Sequence, residues 1–238
     1  DRSVSELHVV PLVGSWAPLG LSAPLVAGGN VTAFAVSPDG GSAVYLADQD
    51  EDNRFELYRI ALPGFVVNRL SATLVAGGDV SKFQISPDSA RVVYLADQES
   101  DEVIELFSVP IDGSAAPVRL AALPATGYVF DLLISPDSSR VVFRADLDRA
   151  GVPELFSAPI TGSTAPVKLN PTPAGTGSVL SYRFGASGRV VFTGDVETNG
   201  TVELFSAPVD GSSPPRKLNP PLGANRDRGG GDGFARRQ

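Results

Sequence analysis

The chain has 238 residues, 42% hydrophobic and 19% charged, enough apolar side chain for a sizeable core and outside the composition of disordered chains. Its net charge of −8 argues against a surface that tracks phosphates, which needs clustered Lys and Arg to displace counterions. Cys 0 excludes disulfides, thiolate metal sites and a cysteine nucleophile.

The first residue is Asp1 and Met is absent, from which we expect a processed, trimmed or partial product, an exported protein, extracellular or periplasmic, being favoured. Leu7 to Pro38 carries no Asp, Glu, Lys or Arg. Pro11, Pro18 and Pro24, with Gly14, Gly20, Gly28 and Gly29, interrupt this stretch too often for a helix of ~20 residues that would cross a bilayer. Its pieces also match later ones. Glu6-Leu7-His8-Val9-Val10-Pro11 aligns with Glu105-Leu106-Phe107-Ser108-Val109-Pro110, and Leu25-Val26-Ala27-Gly28-Gly29 with Leu74-Val75-Ala76-Gly77-Gly78.

From residue 31 the chain repeats with a step of 49, seen at Asp48, Asp97, Asp146 and Asp195, and at Glu56, Glu105, Glu154 and Glu203. The units run 31–79, 80–128, 129–177 and 178–226, after a half-unit at 5–30. The second unit serves as template. Val80 to Ile85 reads as a strand closed by the turn Ser86-Pro87-Asp88-Ser89, where proline presets φ and Ser and Asp bond local backbone. Arg91 to Leu95 is a β-branched and aromatic second strand ending at an acidic loop. Ile104 to Val109 alternates as a third strand and stops at Pro110 and Asp112-Gly113. Pro117 to Leu120 is the fourth. The fourth unit departs only at Gly185-Ala186-Ser187-Gly188, in place of Ser-Pro-Asp.

Four short antiparallel strands repeated in tandem, without a helical pattern, predict a β-propeller. The chain begins mid-blade, so the half-unit supplies a third and a fourth strand. We expect five blades with one split, the alternatives being a four-bladed ring or part of a larger propeller. The propeller is expected to occupy 1–221, followed by a Gly/Arg-rich tail at 222–238 in which no convincing strand completes the split blade. An incomplete blade leaves unpaired backbone and an apolar face, and predicts self-association, a protein partner or a missing continuation of the chain.

The units resemble the TolB-like family of WD-related propeller repeats. The resemblance rests on Ser37-Pro38-Asp39-Gly40, Ser86-Pro87-Asp88 and Ser135-Pro136-Asp137, and on Glu56-Leu57-Tyr58, Glu105-Leu106-Phe107, Glu154-Leu155-Phe156 and Glu203-Leu204-Phe205. It implies a non-catalytic propeller used for protein association, alone or as the propeller domain of a larger enzyme such as a peptidase.

The acidic loops are the sharpest candidate site. Asp48, Asp50, Asp52 and Glu56 in the first, and Asp97, Glu99, Asp101 and Glu105 in the second, place oxygen ligands at alternate positions, as a hard cation such as calcium requires. The competing reading is a solvated hairpin loop whose first Asp caps a turn. His8 is the only histidine and occupies the slot of Tyr58, Phe107, Phe156 and Phe205. Packing explains it better than catalysis, and no Gly-x-Ser-x-Gly elbow accompanies it, so no enzyme activity is expected. Gly28-Gly29 and Gly77-Gly78 read as connections between blades. Positions expected to line a channel are Ala33, Lys82, Asp131 and Leu180, then Ala35, Gln84, Leu133 and Tyr182. Trp16 is the single tryptophan and the one hint of glycan binding.

Overall fold

The structure, a computed structural model, describes residues 4–10, 17–62, 64–124 and 126–220. Among these there is no helix. The half-unit forms β1 (His8–Val9) and β2 (Leu19–Gly20). Blade one is β3 (Val31–Val36), β4 (Ser42–Ala47), β5 (Glu56–Ala61) and β6 (Val67–Arg69). Blade two is β7 (Val80–Ile85), β8 (Arg91–Ala96), β9 (Glu105–Pro110) and β10 (Val118–Ala121). Blade three is β11 (Val129–Ile134), β12 (Arg140–Ala145), β13 (Glu154–Pro159) and β14 (Val167–Lys168). Blade four is β15 (Val179–Phe184), β16 (Arg189–Gly194), β17 (Glu203–Pro208) and β18 (Arg216–Lys217). Each whole blade is a four-stranded antiparallel meander, and β1 and β2 form a two-stranded sheet, consistent with a five-bladed propeller carrying one split blade. The tail at 222–238 and Trp16 lie outside the described residues.

Apolar seams between consecutive blades hold the fold. Leu7 and Leu21 of the split blade pack on Tyr45, Tyr58 and Ile60 of blade one. Val44, Leu46 and Leu57 of blade one pack on Val92, Tyr94 and Phe107 of blade two, and the pattern recurs between blades two and three and between three and four. Middle strands are therefore apolar on both faces, which explains their continuous β-branched and aromatic runs. Within each blade the facing aromatics stack, as Tyr94 and Phe107 do at 5.4 Å; such pairs contribute ~1 kcal/mol beyond area burial.

The Ser-Pro-Asp turns show why their residues are needed. Ser37 Oγ donates to Asp39 Oδ1 at 2.6 Å and accepts from Ser42 N at 2.9 Å, while Asp39 Oδ1 accepts from Gly41 N. The position after Asp has positive φ, filled by Gly40, Ser89 and Ser138. A serine is strained there by ~1 to 2 kcal/mol. Both serines are used across blades: Ser89 Oγ accepts from Asp39 N at 3.1 Å and Ser138 Oγ from Asp88 N at 3.0 Å.

The register corrects the expected channel positions. Each first strand carries a bulge near its start, and Val179 pairs with Gly194 as Val129 pairs with Ala145. The spacing from Val129 to Val179 is thus one residue longer than 49, because the connection Pro171 to Gly177 holds an extra residue. Ser181 and Arg183, not Leu180 and Tyr182, are the counterparts of Asp131 and Leu133. A one-residue slip exchanges the faces of a strand. Leu180 is the bulged residue, and Tyr182 instead joins the seam with blade three. The β5–β6 connection is one residue shorter than its counterparts, so Arg69, opposite Tyr58, matches Arg119, opposite Phe107.

Candidate functional site

The carboxylates of the acidic loops are held by the protein itself. Asp48 is buried; its Oδ1 accepts from Asn30 N at 2.5 Å and its Oδ2 from Asn53 N at 3.0 Å. Asp97 does the same with Asp79 N and Glu102 N, Asp146 with Tyr128 N and Gly151 N, and Asp195 with Ser178 N and Gly200 N. Each aspartate clasps the lead-in to its blade's first strand against its own loop. The loop amide belongs to a residue with positive φ, namely Asn53, Glu102, Gly151 and Gly200. Hydrogen bonds to the charged form favour it, and Asp195 is held below the usual carboxylate range by its amide donors, against the opposing effect of burial.

The repeated glutamates are buried and meet a cation from the fourth strand. Glu56 pairs with Arg69 at 3.0 Å, Glu105 with Arg119 at 3.1 Å, Glu154 with Lys168 at 2.8 Å and Glu203 with Lys217 at 2.7 Å. The loop carboxylate at the second alternate position joins the same cation in three blades: Glu99 to Arg119, Asp148 to Lys168 and Glu197 to Lys217. Asp50 instead lies 3.0 Å from Tyr58 Oη and shares its single proton with Glu56, at 2.8 Å. Burial, followed by Glu56 and Asp50, raises the Tyr58 phenol above its ordinary range. Burial also raises Glu105, with Arg119 opposing it. Lys168 is raised because Asp148 and Glu154 outweigh burial.

Asp52 and Asp101 stand over the paired glycines. A Cβ at Gly28 would lie 2.6 Å from Asp52 Oδ1, one at Gly77 2.9 Å from Asp101 Oδ1, and one at Gly78 2.6 Å from the Asp97 carbonyl. The glycines permit close approach of loop to connection. Among the described residues no three His, Cys, Asp or Glu side chains group as a metal site. Composition drew attention to the acids; the matching signal, a base at each fourth strand, was also present in the sequence at Arg69, Arg119, Lys168 and Lys217.

On the inner strands a cavity of about 250 Å³ is lined by Lys82, Gln84, Asp131, Arg144, Tyr182 and Arg183, among others. The Arg144 guanidinium grips both Asp131 oxygens and donates to the carbonyls of Val179 and Leu180, the latter at 2.7 Å, tying blade three to blade four. Tyr182 Oη donates to Val142 O. The cavity is smaller than the ~300 to 1,000 Å³ of ordinary ligand pockets, and its central polar groups serve each other.

The split blade is different. His8 keeps the aromatic slot, pairing with Gly20 as Tyr58 pairs with Arg69, but it is exposed, and its ion-pair partner among the described residues is Glu6, at 3.7 Å. In whole blades this slot stacks on an aromatic from the second strand. Phe34 and Val36 of blade one are exposed too.

No family model matches the chain, and no curated protein matches it. Solved structures do. A putative TolB from Agrobacterium tumefaciens superposes with a TM-score of 0.52 at 20% identity, over 91% of this chain and 74% of that one. A dipeptidyl peptidase 4 from Porphyromonas gingivalis gives 0.66 at 10%, over 85% of this chain and 35% of that one. An oligogalacturonate lyase from Vibrio parahaemolyticus gives 0.53 at 12%, over 84% and 55%. At these identities the likeness is one of fold. The chain spans about three quarters of the TolB and about a third of the peptidase.

Proposed function

We propose that this chain is a non-catalytic propeller that recognises another protein, with the incomplete blade as its docking face. The observation that carries this reading is the exposed apolar surface of the first and last whole blades, Phe34 and Val36 in blade one and Leu204 and Leu218 in blade four. Such surface, where the seams between the other blades are covered among the described residues, is the mark of an interaction site. The acidic loops then act as locks that fix each blade's turns, and the exported location expected from the sequence belongs to the same proposal.

A photo-crosslinking residue at position 34 or 36, in the full chain produced in its source cells, tests this. Adducts at these positions and none at exposed Ser212 are expected; a monomer with no adduct at either position overturns it. A second reading, the propeller domain of a longer peptidase, is favoured by the peptidase match, which uses only about a third of the larger chain. Coding sequence for a hydrolase domain joined in frame to this chain would establish that reading.

A further inference from the structure

The geometry points to a binding site for a small oxyanion, a carboxylate or phosphate group, in the cavity on the inner strands, held by Lys82 and Gln84 of blade two and Arg183 of blade four. The site is separate from the docking face proposed above and uses none of its residues.

Residues two apart on a strand share a face, and the register fixes which face of each first strand meets the cavity. Equivalent positions after the bulge hold Lys82, Asp131 and Ser181, and two residues further on Gln84, Leu133 and Arg183. All six line the same cavity. The strand frame repeats from blade to blade, but these side chains do not, and their differences concentrate positive charge at one place.

Asp131, the carboxylate of the lining, is already answered by Arg144, which grips both its oxygens. Among the described residues neither Lys82 nor Arg183 makes an ion pair. Arg183 Nη1 donates to the Tyr182 carbonyl at 2.7 Å, which places the guanidinium and leaves its other N–H groups as donors. Gln84 Oε1 accepts from Ile134 N at 3.3 Å, so the side-chain amide offers its Nε2 hydrogens to the cavity. Two uncompensated cations and an amide donor thus meet beside a neutralised pair, in a chain whose net charge is −8. Cations gathered in a concave wall raise the local concentration of anions, and the guanidinium fork matches the oxygens of a carboxylate or a phosphate. The volume of about 250 Å³ suits this ligand class: at the ~30 Å³ of a water, it takes a group of several atoms and not a larger molecule.

The probes are succinate and inorganic phosphate, added to the full chain while sodium chloride holds the ionic strength constant, with the NMR shifts of the Arg183 Nε–H and the Gln84 side-chain amide as the readout. Saturable one-to-one shifts at both groups are expected with at least one of the two anions, and the tighter one identifies the ligand as a carboxylate or a phosphate. Gln84→Glu keeps an oxygen for Ile134 N but sets a negative charge in the cavity, so it should weaken binding at least tenfold while the Tm holds. Lys82→Ala should weaken binding severalfold, and Arg216→Ala, at an exposed position on β18, should leave it unchanged. Shifts that grow linearly without saturating with both anions would overturn the site. So would binding that neither Gln84→Glu nor Lys82→Ala alters.

Discussion

Arg59 Nε donates to Ser42 Oγ at 3.0 Å across blade one, and in the other blades the same bond is made with the two residue types exchanged, from Arg91 to Ser108, Arg140 to Ser157 and Arg189 to Ser206. The repeat has kept the pair while swapping its ends. A second pair behaves alike: Tyr45 and Tyr94 donate to Gln49 and Gln98, and where the ring is Phe143 or Phe192 the partner position holds Leu147 or Val196. A buried hydroxyl needs an acceptor, and a phenyl ring does not; burial raises the Tyr45 phenol to about 12. If the Arg–Ser bond is a unit, Ser42→Arg alone sets two guanidiniums together, Arg59→Ser alone leaves two hydroxyls, and the double exchange restores the bond. We expect the double variant to be more stable than the sum of the single effects by about 1 kcal/mol, within the usual range for contacting pairs. Urea unfolding of the four proteins measures this, and strict additivity would refute it.

Within each blade the aspartate clasp and the buried glutamate are separate devices, and Asp195, held low, and Glu105, raised, respond to acid in opposite senses. Asp146 is buried and accepts from two amides, so Asp146→Ala strands both donors and should cost about 2 to 4 kcal/mol, with Asp146→Asn costing less. Because this clasp is made by the protein's own amides, neither millimolar calcium nor excess chelator should move the Tm of the wild type; a chelator-sensitive Tm would instead support the calcium reading of Asp48, Asp50, Asp52 and Glu56. Glu105 differs in sign. Burial raises its folded pKa above 4.5, so the fold favours the protonated form and loses stability as pH rises through the window from 4.5 to the raised value. Glu105→Gln imitates that form and leaves Arg119 its bond to Glu99. We expect it to match or exceed the wild-type Tm at neutral pH, with the difference vanishing in acid; a deficit at neutral pH that persists in acid would contradict this. The strands and their turn residues were legible in the sequence because apolar alternation and Ser-Pro-Asp are local signals. The one-residue insertion before Val179 was not, since the landmarks on either side of blade four's inner strand still step by 49, and only the pairing of Val179 with Gly194 reveals the slip. The loops were legible as acidic, but their cations stand 13 to 20 residues away on fourth strands, as Arg69 and Arg119 do, and proximity across a hairpin does not show in a linear reading.

Across the whole molecule the blades form a stack in which each touches only its neighbours, so stability is a sum of blade and seam contributions. Blades one, two and three have seams on both faces, while blade four and the split blade have one each among the described residues. Opening should therefore start at the split blade and at blade four. Hydrogen exchange is expected to be slowest in β4, β8 and β12, whose residues are almost wholly buried, and fastest in β1, β2, β17 and β18. Uniform protection across all sheets would show instead that the ends are closed on one another.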